Sequence, residues 1–294
     1  MTSTREDFAD GYDLSNDFFR LWLGERMSYT CAVFDEQHTT LEKAQHNKDR
    51  ILADFAGVTA DTLVLDIGCG WGATLEYLAR ERHVKRAHGI TLSRAQHEEV
   101  MRRKLEGVEA WLVDYKDFVP LEKYDALISI EMVDHLVSPA QQQQGLAVDI
   151  YRGYFNRVAG WAVAGARFGF QAILRDRVPR RRKDLEDLKF TADVMFPGGL
   201  NPRLEELVAA CGQSWEILSL VTRREDYGKT TAEWLRRLRD NERQIMDGGC
   251  GGRVMKNGET VWTNYERFLC TCITAFDQGW SSLVQMQLRK KPAA

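Results

Sequence analysis

Short apolar runs alternate with amphipathic stretches along the chain from residue 61 onward. Runs of aliphatic and β-branched residues that end in glycine or polar residues predict strands, and apolar residues spaced three or four apart predict helices. The predicted strands cover residues 62–72 (ending in a glycine turn), 86–93, 109–115, 124–130, 166–174 and 214–223, with helices between them at 74–82, 94–104 and 151–161. This alternation indicates an α/β protein with a mostly parallel sheet.

Three regions lie outside this alternation. Residues 1–60 have a helical pattern and predict an N-terminal cap segment in front of a core that spans residues 61–294. Residues from about 175 to 205 interrupt the sheet pattern, and they predict a cap insertion over the carboxyl ends of the strands, where ligands bind in open α/β sheets. The C-terminal region predicts helices at about 230–246 and 264–287.

The composition narrows the class of protein. The chain has 294 residues, of which 44% are hydrophobic, and its formal net charge is -3. A chain of this length buries a sizeable core, and its charge gives no general reason to bind nucleic acid. No apolar run is long enough for stable membrane insertion, and no signal peptide is recognisable. The six cysteines lack the paired spacing of a zinc site, so we expect reduced thiols, no metal and a cytoplasmic protein.

A glycine-rich turn, DIGCGWG at residues 66–72, follows the first predicted strand. Gly68 and Gly70 allow a tight strand-to-helix turn and a close approach of the backbone to a ligand. The spacing differs from the dinucleotide pattern GxGxxG, and the second strand ends at Thr91 without the acid that such proteins carry there. Asp66 directly precedes the glycines instead. These features favour S-adenosylmethionine over NAD, with Asp66 organising contacts to its cationic methionine part.

A second cluster of chemistry-bearing residues is SIEMVDHL, residues 129–136, at the end of the fourth strand. It holds Glu131, Asp134 and His135. One interpretation is a helix N-terminus, where acids are favoured. The other is an acid/base cluster at the mouth of an active site, in which a carboxylate three or four residues away raises the pKa of His135 and orients its ring.

Longer segments give a specific resemblance. GYDLSNDFFRLWLGERMSYTCAVFDEQHTTLEKAQHNK, LVLDIGCGWG and GITLSRAQ resemble the cyclopropane fatty acid and cyclopropane mycolic acid synthase family of S-adenosylmethionine-dependent methyltransferases. MFPGG at residues 195–199 and DYGKTTAEW at 226–234 also resemble family segments. The resemblance runs from about Gly11 to Phe276 and implies a class I methyltransferase fold, which is Rossmann-like.

The resemblance also implies a binding site for S-adenosylmethionine, and for its product S-adenosylhomocysteine, at the strand ends. In this sequence the matching residues are Tyr29, Thr30 and Ile130 near the methionine end, Gly68 and Gly70 along it, Thr91, Leu92 and Gln96 beside the ribose and adenine, and Asp114 and Tyr115 at the adenine.

The chain departs from the family pattern at the reacting centre. Lipid-cyclopropanating members are thought to hold a bicarbonate base with a Cys, a Glu, a His and a Tyr. Cys31 and Tyr227 match this set, but Asp134 stands for the Glu and Gln171 for the His. A bicarbonate is therefore doubtful. Glu131 stands where these synthases usually carry glycine, and the E-x-x-[ED]-H arrangement resembles plant benzylisoquinoline N-methyltransferases.

Three functions stay open from the sequence. The favoured hypothesis is a specialised-metabolite enzyme that methylates carbon of a hydrophobic alkene, prenyl or indole-type molecule, with or without cyclisation afterwards. The alternatives are N-methylation of an alkaloid-like amine and cyclopropanation of an unsaturated fatty acyl lipid. The candidate catalytic residues are Glu131, Asp134, His135, Tyr227 and Tyr12, and the candidate substrate-side residues are Cys31, Gln171, Phe170 and Phe196. The basic run at 180–183 is a solvated face or an anion site, and a homo-oligomer is left open.

Overall fold

A computed structural model describes residues 14–292, so the candidate catalytic residue Tyr12 lies outside the described residues. The described chain forms a seven-stranded sheet in the order β3-β2-β1-β4-β5-β7-β6. The first five strands are parallel, and β7 is antiparallel to both of its neighbours. The strands are β1 Leu63–Ile67, β2 Arg86–Thr91, β3 Val108–Leu112, β4 Tyr124–Ile130, β5 Ala162–Arg175, β6 Trp215–Thr222 and β7 Ser281–Lys290.

Helices cover the sheet, which explains why β1 is buried along its whole length and reads as a continuous apolar run. They are α1 Asn16–Leu23, α2 Leu41–Phe55, α3 Ala73–Arg80, α4 Arg94–Arg102, α5 Pro139–Gln143, α6 Ala147–Trp161, α7 Arg182–Phe190, α8 Leu204–Cys211, α9 Arg224–Asp240, α10 Glu242–Asp247 and α11 Val261–Asp277. A 3₁₀ turn at Val133–His135 and a π turn at Thr191–Met195 complete the set. Within the described residues, none of these helices has both the length and the apolarity needed to cross a membrane.

The sequence prediction of a helix through residue 287 is wrong. Helix α11 ends at Asp277, Gly279 adopts φ +66° and the chain then enters β7. A left-handed glycine after a helix ends it in this way. Residues 281–290 then pair with β5 on one side and β6 on the other. Strand β7 therefore joins β5 to β6, two strands that the sequence pattern predicts without showing how they belong to one sheet.

The N-terminal segment is only partly helical. Between α1 and α2 lies an irregular stretch of 17 residues, 24–40, without regular secondary structure. Side chains of α2 hold it in place: Gln45 Nε2 donates to the Thr30 carbonyl at 2.7 Å, and Asn47 Nδ2 donates to the Val33 carbonyl at 3.0 Å. This stretch brings the backbone around Cys31 to the carboxyl end of β4, where its N–H meets Glu131.

Two insertions between strands cap the sheet, whereas the sequence predicted one such insertion beside the N-terminal cap segment. The first is the predicted insertion, which contains α7 and the π turn. The second comprises α9, α10 and α11, inserted between β6 and β7. A shared aromatic cluster joins α1 to the second cap, with Trp22 packed edge-on against Trp234 at 5.9 Å between ring centroids. The caps enclose the carboxyl ends of the strands.

Candidate active site

A cavity of about 510 Å³ lies between the carboxyl ends of the strands and the two caps. Every residue that the sequence predicted for the cofactor lines it: Tyr29, Thr30, Asp66, Gly68, Gly70, Thr91, Leu92, Gln96, Asp114, Tyr115 and Ile130. Four of the predicted catalytic residues also line it: Glu131, Asp134, His135 and Tyr227. The tertiary structure therefore brings together residues from the N-terminal stretch, four strand ends and α9.

The glycine turn after β1 leaves room for a ligand. Gly68, Gly70 and Gly72 have φ values of +80°, +53° and +82°, which glycine adopts without steric cost. A Cβ at Gly70 would meet no atom within 4 Å, because that position faces the cavity. A Cβ at Gly68 would lie 2.9 Å from Met132 Cγ. The turn is thus a cradle that a larger side chain would fill.

Asp66 at the end of β1 is a buried acid with an unsatisfied oxygen. Its Oδ2 atom has no hydrogen-bond partner within residues 14–292, and burial raises the pKa of the carboxyl to about 7. Lys48, also buried on the cavity wall, is paired with Asp49 at 2.8 Å. An orphaned acid beside an open glycine cradle fits the cationic amino group of S-adenosylmethionine, and the ammonium of Lys48 fits its carboxylate.

We expect binding of S-adenosylmethionine to release a proton from Asp66. At pH 7 about half of the free protein carries this proton, since the pKa lies near 7. A bound ammonium lowers the pKa of a neighbouring carboxyl, so the proton leaves on binding. Calorimetry in buffers of different ionisation enthalpy should report release of up to about half a proton. Asp66→Asn should release none, and equal heats in all buffers for the unaltered protein would contradict the assignment.

Glu131 is the centre of the site. Its Oε1 accepts hydrogen bonds from the backbone N–H of Cys31 at 3.0 Å and from Gln171 Nε2 at 2.8 Å. Its Oε2 accepts one from the Tyr227 hydroxyl at 2.7 Å. The residue itself has φ +55°, a conformation rare outside glycine. These three donors form an anion-binding cradle, separate from the glycine cradle, and the Glu131 carboxylate occupies it.

Further residues that the sequence analysis missed orient this cradle. Gln285 of β7 is fully buried and its Nε2 donates to Gln171 Oε1 at 2.8 Å, which turns the Gln171 amide N–H₂ toward Glu131. Thr230 of α9 accepts from the Ala32 N–H at 3.0 Å and so fixes the backbone beside Cys31. The polar–apolar alternation of residues 284–288 was the available signal for β7 and hence for Gln285.

The two buried carboxyl groups that follow β4 have different environments. Burial raises the pKa of Glu131, and its three donors oppose that rise. Burial, with repulsion from Glu131, raises the pKa of Asp134 well above its usual value. Asp134 receives only the Ile173 N–H, at 3.2 Å, and its Oδ1 lacks a partner among the described residues. Of the two groups, Glu131 is therefore better suited to carry a negative charge, because three donors reach it and one reaches Asp134.

The expectation of a raised His135 pKa is wrong. Burial lowers the pKa of His135 to about 4, and neither acid of the turn contributes to the shift. The left-handed backbone of Glu131 directs its carboxylate toward Tyr227 and Gln171. His135 instead contacts the first cap through Phe196, with ring centroids 6.1 Å apart. The imidazole is neutral at physiological pH.

The predicted substrate-side residues fall in different places. Phe196 lines the cavity. Phe170 does not line the cavity, because it is fully buried in the core on the other face of β5. There its ring packs against Phe155, with ring centroids 5.3 Å apart. Its assignment to the substrate is wrong. Cys31 and Gln171 lie behind Glu131 and contact its carboxylate instead of forming the cavity wall.

The strand order, the antiparallel β7, the glycine cradle after β1 and the capped cavity define a class I S-adenosylmethionine-dependent methyltransferase. The family model of mycolic acid cyclopropane synthetase matches residues 1–286. The chain therefore belongs to that family, and the resemblance identified in the sequence is confirmed.

Similar proteins agree with this assignment. A protein of Pseudomonas putida, described as a probable fatty acid methyltransferase, is 31% identical in an alignment of 289 residues that covers 96% of this chain and 68% of the relative. The solved cyclopropane synthase MmaA2 from Mycobacterium tuberculosis is 25% identical, with a TM-score of 0.86 over 99% of each chain. The mycolic acid cyclopropane synthase CmaA1, solved with SAH and CTAB, is 24% identical, with a TM-score of 0.85 over 99% of each chain.

Proposed function

We propose that this methyltransferase transfers a methyl group to a carbon–carbon double bond of a long apolar substrate of the unsaturated fatty acyl class, and that Glu131 accepts the proton released. The observation that carries the proposal is the Glu131 carboxylate, held by donors at the wall of a predominantly apolar cavity. The acyl class is supported by relatives described as fatty acid methyltransferase and cyclopropane mycolic acid synthase.

The residues have separate tasks in this chemistry. S-adenosylmethionine supplies an electrophilic methyl group when it is bound. The glycine cradle, Asp66 and Lys48 position it, and the caps hold the alkene in line and exclude water. Attack by the π electrons on this methyl group would form the new carbon–carbon bond while the methyl carbon–sulfur bond breaks and S-adenosylhomocysteine leaves. The resulting carbocation would be stabilised by the aromatic faces of Tyr227, Phe268 and Phe276 on the cavity wall. Glu131 then takes the proton, and the freed electron pair closes a ring or forms a new double bond.

The acidic limb of the pH–rate profile should report Glu131. Because the carboxylate must be ionised to accept a proton, the rate falls as pH drops through its pKa, which burial has raised. Tyr227→Phe removes a hydrogen bond to the ionised form and should move this limb upward by about one pH unit or more. The Tyr227 ring stacks on the Phe276 ring with centroids 4.3 Å apart, and the substituted phenylalanine at position 227 preserves that contact. An unmoved limb would contradict the role of Glu131.

Isotopic analysis of the product tests the reaction itself. With S-adenosylmethionine deuterated at the methyl group, a cyclopropane or an exocyclic methylene keeps two deuterium atoms, because one leaves to Glu131. A product deprotonated at an acceptor carbon keeps all three. The assay should compare unsaturated fatty acyl phospholipids, free unsaturated fatty acids and prenylated or indole-type alkenes. The proposal is overturned if the deuterated methyl group is not found on a carbon atom of any of these substrates.

N-methylation is the second candidate, and the pair of buried carboxyl groups beside the cavity is the observation that favours it. An ionised Glu131 with a neutral Asp134 could hold an amine and take its proton. The transferred methyl would then keep all three deuterium atoms and be bonded to nitrogen. A panel of cyclic secondary amines, assayed beside the alkenes, separates the two candidates.

A further inference from the structure

The cavity reaches the protein surface in two places. Most of the residues that line it are buried or half-buried, and the exposed ones form two groups. Lys116 lies at the end where Asp114 and Tyr115 are placed, next to the proposed adenine site. Arg177, Val178, Leu185 and Ala192 lie at the other end, in the first cap. We call residues 177–192 the cap mouth.

The cap mouth combines exposed apolar side chains with a concentration of positive charge. Val178 is 71% exposed and Leu185 is 42% exposed, and both line the cavity. Residues 177–183 contain five basic side chains and no acidic one, in a chain whose net charge is -3. Scattered exposed apolar residues are ordinary on protein surfaces. These two differ because they form the rim of the cavity and lie beside the basic run.

Part of this charge is not neutralised by the protein. Arg182 pairs with Glu186 at 2.8 Å, and Arg177 donates to the carbonyls of Gln278 and Gly279. Arg180, Arg181 and Lys183 are exposed and form no ion pair with any residue between 14 and 292. Asp176 and Asp184 flank the run. Asp187 pairs with Arg267, and Asp193, directly after the cap mouth, pairs with Lys189.

We propose that the cap mouth docks on the surface of an anionic lipid bilayer and admits the acyl chain of a membrane lipid directly into the cavity; this inference rests on the proposed function. Lys and Arg side chains near an anionic membrane surface are each attracted to it. Apolar side chains between them enter the boundary between headgroups and acyl chains. Val178 and Leu185 then lie where a chain leaves the bilayer, so the chain enters the cavity without crossing water.

Vesicle binding tests the docking surface without any turnover. The full chain should cosediment with vesicles of equal parts phosphatidylcholine and phosphatidylglycerol, but not with phosphatidylcholine alone, and high salt should release it. Reversing Arg180, Arg181 and Lys183 together to Glu should weaken binding to the mixed vesicles by about 100-fold. The matched control reverses Lys43, Lys104 and Arg253, which are also exposed but lie outside the cap mouth, and should bind like the unaltered protein.

A second pair of measurements separates docking from catalysis. With substrate dispersed in neutral detergent the Arg180/Arg181/Lys183 variant should keep its rate, whereas with mixed vesicles its rate should fall with its binding. Val178→Ser with Leu185→Ser should weaken vesicle binding while leaving its salt dependence in place. Thermal unfolding of each variant verifies the fold.

Three results would overturn the docking proposal. The first is equal binding to neutral and anionic vesicles, the second is full vesicle binding by the charge-reversed variant, and the third is binding to an acidic acyl carrier protein with none to vesicles. Vesicle binding without methylation of any lipid would instead overturn the proposed function and leave the docking surface standing.

Discussion

Replacing Glu131 by glycine should abolish turnover in ordinary buffer and make the enzyme dependent on an added small anion. The glycine accepts φ +55° without strain and removes the carboxylate, but the three donors that hold it remain. Loss of a general base typically costs about 10²- to 10⁴-fold in rate. Formate or bicarbonate should enter the emptied cradle and restore part of this loss in steady-state assays.

The unaltered protein and a second variant make this result specific. In the unaltered protein the cradle is filled, so its rate should not change when bicarbonate is removed or formate is added. Glu131→Gln fills the same space with a group that cannot take a proton, so it should be inactive and should not respond to formate. Binding of S-adenosylmethionine should be unchanged in both variants. Rescue of Glu131→Gln, or bicarbonate dependence of the unaltered protein, would contradict the role of Glu131.

Replacing Gly70 by valine should weaken binding of S-adenosylmethionine about 10- to 100-fold, the effect of forcing extra carbon atoms into a fitted space. The Cβ at this position points into the open cavity, so the fold has no packed neighbour to displace. The bound cofactor would meet the side chain instead. Titration calorimetry measures the affinity, and thermal unfolding measures the separate effect on stability.

Gly145 provides a matched control for Gly70. It has φ +74°, and a Cβ there would also meet no atom within 4 Å, but it lies between α5 and α6 and does not line the cavity. Gly145→Val should therefore carry a similar backbone cost of about 1–2 kcal/mol without changing cofactor affinity. If both variants lose the same affinity for S-adenosylmethionine, the Gly70 substitution acts through the stability of the fold. The assignment of the cofactor site to the glycine turn would then be wrong.

The difference between correct and incorrect predictions has a physical basis. Strand β4 was predicted with its observed bounds because an apolar run between turn residues is a local signal. Strand β7 was missed because its residues follow directly on the amphipathic α11, and their pairing with β5 and β6 is non-local. Phe170 was misassigned because successive residues of a strand face opposite sides of the sheet, and the sequence does not say which side holds the cavity.

The sequence by itself determined the class of fold, the cofactor and the positions of the residues that line the cofactor cavity. The glycine turn and the strand ends are local features that neighbouring residues specify. The other cofactor residues, Tyr29 and Thr30 among them, came from the resemblance to the family. Only the tertiary structure decided what the charged cluster after β4 does. The sequence pattern suggested that a carboxylate raises the pKa of His135. In the structure, the left-handed backbone at Glu131 turns its carboxylate toward donors from residues as far as 100 positions away. Cys31, Gln171 and Tyr227 meet at that carboxylate because three distant segments pack there, and packing between distant segments is not encoded in any local pattern.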